Sequence, residues 1–101
     1  MANTNNTVYM ATDENGNDQG LVFYPSKIEI MAGTTVHWKN LDEMDHTVTS
    51  DSGSSETFDS GAVEGGSGTF EYTFNKPGTY KYHCTYHGSD SSGMAGTINV
   101  T

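Results

Sequence analysis

Four side chains with soft or borderline donor atoms stand out from an otherwise acidic chain: His46, Cys84, His87 and Met94. Cys84 is the only cysteine of the 101 residues, so it closes no internal disulfide and has to be judged by its neighbours. Thr85 and Tyr86 separate it from His87, and the six residues Gly88 to Gly93 separate His87 from Met94. His46 lies far upstream, directly after the carboxylate-rich stretch "NLDEMD". Two imidazoles, one thiolate and one thioether suit copper in both oxidation states, and a trigonal His2Cys arrangement with a weak axial sulfur is an electron-transfer geometry. The same nitrogen and sulfur donors also suit zinc, to which a thioether adds little. Two readings need no metal. Cys84 as a buried hydrophobe is one. The other is a cysteine nucleophile with a histidine base, but the sequence shows none of the signatures that flank such nucleophiles.

The elements that must hold these residues read as strands. "KIEI" and "VHWK" alternate, placing Ile28 with Ile30 and Val36 with Trp38, and "MAG" between them is a turn. "HTVTS" at His46 to Ser50 is short and β-branched. "GTFEYTFN" puts Phe70, Tyr72 and Phe74 on one face, "KPG" turns the chain, and "TYKYHC" puts Tyr80, Tyr82 and Cys84 inward with Lys81 and His83 outward. "GTINV" closes the chain. Segments of this length, with Gly, Pro, Asn and Asp between them and no 3.6-residue apolar period, predict an all-β sandwich of about seven or eight strands. One domain over residues 1–101 follows from the length. Within it, residues 1–20 read as a partly ordered N-terminal segment with room for one short strand, Thr7 to Ala11. An immunoglobulin-like module shares the sandwich but usually staples its sheets with two cysteines.

Thirteen carboxylates face four basic residues, a net charge of -9, which disfavours nucleic acid and anionic bilayers as partners. No apolar run is long enough to span a membrane, and the opening residues carry neither the basic end nor the apolar stretch of an export signal. His37 and His83 read as ordinary surface residues. Met10, Met31 and Met44 read as packing or loop residues, with Met44 a reserve thioether two residues before His46.

"DHTVTS", "TFNKPGTYKYHC", "CTYH" and "GMAGTINV" together resemble the cupredoxins, the blue copper proteins of the plastocyanin, amicyanin and pseudoazurin kind. The likeness runs from Leu21 to Thr101 and keeps the family's order of turn, aromatic strand, Cys, His, Met and final strand. It implies a Greek-key β-sandwich holding one copper ion cycling between Cu(I) and Cu(II), with ligands His46, Cys84 and His87 and Met94 in the axial place. It also implies that Thr47 and Thr85 tie the two ligand loops together and that the Thr47 amide approaches the Cys84 sulfur. The function so implied is one-electron transfer between redox partners rather than enzymatic turnover. The protein is expected to be an extracytoplasmic monomer whose redox partner has a basic docking face. One departure leaves an alternative open, because the Gly88 to Gly93 spacer is longer than the family's usual one. If Met94 falls short, a water, the Asp45 carbonyl or the Asp90 carboxylate takes the fourth position, and an open copper there could bind and turn over a small ligand such as nitric oxide.

Overall fold

A computed structural model describes residues 6–90 and 92–101. Among the described residues eight strands follow one another: β1 (Thr7–Thr12), β2 (Asp18–Tyr24), β3 (Lys27–Ile30), β4 (Thr34–Asn40), β5 (Thr49–Ser50), β6 (Gly68–Phe74), β7 (Gly78–Ser89) and β8 (Ser92–Val100). They form two four-stranded sheets, ordered β2-β1-β4-β6 and β3-β8-β7-β5. The chain changes sheet after β2, β3, β4, β5 and β6, and its β1–β4 and β3–β8 pairings are parallel while the others are antiparallel. This is the expected all-β sandwich. Among the described residues no helix is long and apolar enough to cross a membrane.

Alternation dictates what the sheets bury. Val8 and Met10 from β1, Val36 and Trp38 from β4, Phe74 from β6, Tyr80, Tyr82 and Cys84 from β7 and Ile98 from β8 are all fully buried between the layers. Trp38 is the hub, with ring centroids 5.5 Å from Phe70, 6.4 Å from Phe74 and 5.4 Å from Tyr82, so it joins both sheets. Tyr82 pairs across the ladder with Gly96, and a Cβ on Gly96 would collide with the tyrosine's Oη and Cζ. Only glycine lets this ring lie flat over β8 two residues before Cys84.

Three elements differ from the sequence reading. β2 is a strand that the sequence reading did not place, because as an edge strand it buries only Phe23 and shows no alternation. The β5 ladder covers Thr49–Ser50 alone, since His46 instead makes an isolated bridge to Val63. β7 runs on past Cys84 to Ser89, because its last residues pair with the start of β8.

Candidate metal centre

His46, Cys84 and His87 converge at one end of the sandwich. The Cys84 Sγ lies 3.8 Å from His46 Nδ1 and 3.7 Å from His87 Nδ1, and the three donor atoms all fall within 4.8 Å of one another. Three bonds of about 2.0–2.3 Å meeting near trigonal angles span about 3.6–3.9 Å between sulfur and nitrogen, so the triangle has the size a single ion requires. Cys84 and His46 are fully buried, whereas His87 is half-buried. Strand geometry supplies the first donor, since β7 alternation aims Cys84 inward. The bridge from His46 to Val63, with hydrogen bonds in both directions, pins the second.

The loops that carry the donors are tied to each other. The Thr47 N–H donates to Cys84 Sγ at 3.4 Å, and the Thr85 N–H donates to Thr47 Oγ1 at 2.8 Å. The two threonine hydroxyls are 3.2 Å apart. Asp42 adds a contact that sequence reasoning missed: its Oδ2 lies 2.9 Å from His46 Nε2. A carboxylate there orients the ring through Nε2 so that Nδ1 faces the sulfur, and it raises the basicity of Nδ1. The one signal in the sequence was an aspartate four residues before the histidine, hidden among the other acidic residues of that loop.

These contacts shape the charge of the metal-free centre. Burial alone would push the Cys84 thiol up, but hydrogen bonds from His46, the Thr47 amide and His87 outweigh it and bring the thiol down to about 6. Burial likewise opposes protonation of His46, yet the hydrogen bonds to Cys84 and Asp42 prevail and raise its pKa. The site is therefore built to hold a thiolate, the form that binds metals. In the metal-free protein the thiolate absorbance is expected to titrate with a midpoint near 6. An ultraviolet pH titration checks this, and a midpoint in the ordinary thiol range would contradict it.

Met94 is fully buried and belongs to the same apolar cluster as Cys84. The long spacer before it is a hairpin: Gly88 pairs with Gly93 and Ser89 with Ser92, which returns the chain to the level of His87. Gly93 adopts φ +67°, and a Cβ there would sit 2.6 Å from the His87 carbonyl oxygen, so the hairpin closes this tightly only with glycine. The extra residues thus lengthen the ladder. Asp90 points elsewhere, its Oδ1 lying 3.7 Å from His83 Nδ1. The Asp45 carboxylate accepts from the Gly65 amide, and Met44 is 46% exposed. Tyr86 is exposed and stands edge-on to His87 with centroids 6.4 Å apart. His83 corrects the surface reading: it does point away from the core, but it is buried and hydrogen-bonded to Asp51. His37 stays partly exposed beside Glu71.

Residues 8–101 match the family of copper binding proteins described as plastocyanin/azurin. A chloroplastic plastocyanin of Fritillaria agrestis is 36% identical over 94 residues, covering 84% of this chain and 55% of that one. Halocyanin of Natronomonas pharaonis is 36% identical over 100 residues, covering 88% and 60%. The chain thus spans somewhat over half the length of these relatives. Among solved structures, a purple cupredoxin from Nitrosopumilus maritimus matches with a TM-score of 0.72 at 28% identity, covering 94% of this chain and 98% of that one. A Cu(I) amicyanin variant matches with a TM-score of 0.75 at 23% identity over 100% and 86% of the two chains, a likeness of fold.

Proposed function

Because the chain belongs to the copper-binding plastocyanin/azurin family, we propose that it is a one-electron carrier whose single copper is held by His46, Cys84 and His87, with Met94 in the axial place. The observation that carries this reading is the triangle of one sulfur and two Nδ1 atoms, with sides of 3.7 and 3.8 Å from the sulfur. Copper, when bound, supplies a Cu(I)/Cu(II) couple. The protein's part is to keep its donors still. The Thr47 amide holds the sulfur, the Thr47 hydroxyl accepts from the Thr85 amide, and Asp42 holds His46. A frame that does not move between oxidation states keeps the reorganisation small, and exchange is then fast. His87, half-buried at the surface, is the edge through which an electron enters and leaves.

The small-ligand alternative needs an open axial position. The closed Gly88–Gly93 hairpin and the buried Met94 favour electron carriage over it. Cyclic voltammetry of the copper-loaded protein is the test. A reversible one-electron wave, unchanged by azide, supports the reading, and its absence overturns it.

Asp42→Asn should raise the reduction potential, because the amide makes His46 a poorer donor and so disfavours the more positive oxidised ion. Copper affinity should fall by about 10–100-fold. Redox titration against wild type reads the first effect, and a lower or unchanged potential would contradict the role given to Asp42.

Family membership favours an extracytoplasmic site of action. The net charge of -9 favours a redox partner with a basic face. Exchange with such a partner should slow as ionic strength rises, which stopped-flow kinetics at low and high salt would show. A salt-independent rate would remove the steering.

A further inference from the structure

Behind the Cys84 strand lies a second cluster of donors with no sulfur in it. We propose that Asp51, His83 and Asp90 form a second metal site, for a divalent cation of the zinc type, on the face of β7 opposite the Cys84 sulfur.

Three segments meet there. Asp51 directly follows β5, His83 lies on β7 next to Cys84, and Asp90 lies at the end of β7 in the ligand-bearing hairpin. Asp51 Oδ1 is 2.7 Å and Asp90 Oδ1 3.7 Å from the same atom, His83 Nδ1, and one donor atom from each residue falls within 4.8 Å of the others. Two carboxylates thus face a ring nitrogen that carries at most one proton. A hydrogen bond can serve one of them well, and the 2.7 Å contact serves Asp51. A divalent cation taking the place of that proton serves both and offsets their joint charge in a chain already at -9.

Burial separates this group from an ordinary acidic surface. The side chains of Asp51 and His83 are 6% and 11% exposed, while that of Asp90 is 50% exposed and forms the open side. Asp90 is steadied by the Ser52 amide, which donates to its Oδ1 at 3.3 Å. One imidazole and two carboxylates are borderline and hard donors, matching zinc with a fourth position left to water, and they lack the sulfur that favours Cu(I). A cation here ties Asp90 of the ligand hairpin to Asp51 after β5 through His83, the residue directly before Cys84. The site stands on these three residues alone, and its test relies on the copper reading only to keep zinc out of the Cys84 centre.

The test is a zinc titration of the copper-loaded protein by isothermal calorimetry, with visible absorption recorded in parallel. One zinc per chain is expected, with the visible band retained. Affinity is expected to fall at least about tenfold in Asp90→Asn and in His83→Gln, since even outer-shell changes typically cost that much. Asp90 is half exposed, so its variant keeps the fold even if that of His83 does not. Absence of binding at millimolar zinc, or an affinity unchanged in Asp90→Asn, overturns the proposal. So does zinc uptake that proceeds only with loss of the visible band.

Discussion

Serine at position 84 is expected to abolish the intense visible absorption of the copper-loaded protein and to weaken copper binding by well over about 100-fold, beyond the range typical of outer-shell changes. The reasons are chemical and electrostatic. The thiolate is the one soft anionic donor of the centre, and its charge is already formed near neutral pH, with the thiol held down at about 6. A serine hydroxyl stays protonated there and offers a hard, neutral oxygen to a site whose surroundings are arranged for an anion. The Thr47 amide and both imidazoles would lose the charge they are aimed at. Competition against a copper chelator, read with the visible spectrum, checks both effects. A variant that keeps its colour would remove Cys84 from the centre.

Trp38→Ala should cost about 3–5 kcal/mol, the usual range for deleting a large buried aromatic side chain. That is a large part of the about 5–15 kcal/mol that holds a domain of this kind together. Trp38 is fully buried and touches Phe70 and Phe74 on its own sheet and Tyr82 on the other. Its removal therefore opens a cavity where the two layers meet, against Tyr82, which lies two residues before Cys84 on β7. Urea denaturation of the metal-free protein should show a much lower midpoint, and Trp38→Phe should recover part of the loss. An unfolding free energy within about 1 kcal/mol of wild type, on the scale of an ordinary point mutation, would contradict the hub role.

The difference between these two residues and Asp42 marks what a sequence can show. Cys84 and Trp38 announce themselves by type and by a two-residue period that needs no knowledge of the rest of the chain. Thr47 and Thr85 were legible through the family resemblance, and their hydrogen bonds to each other and to the sulfur appear as expected. Asp42 was not legible. Four carboxyl-bearing or polar neighbours look alike in "NLDEMD", and only the bend of that loop decides which one meets His46 Nε2. His83 misled for a related reason. Alternation correctly turns it away from the core, but alternation does not know that the segment after β5 folds over it and supplies Asp51. The pairing within the spacer before Met94 was not legible, because length alone does not reveal that glycines at 88 and 93 can pair and let the chain double back. In each case the missing information is tertiary: which loop covers which strand.

X-ray absorption at the copper edge of the loaded wild-type protein tests the central claim most directly, because it counts the atoms bound to the metal. The account predicts one short sulfur contact and two imidazole nitrogens. A first shell without sulfur, or one with a single imidazole, would contradict it.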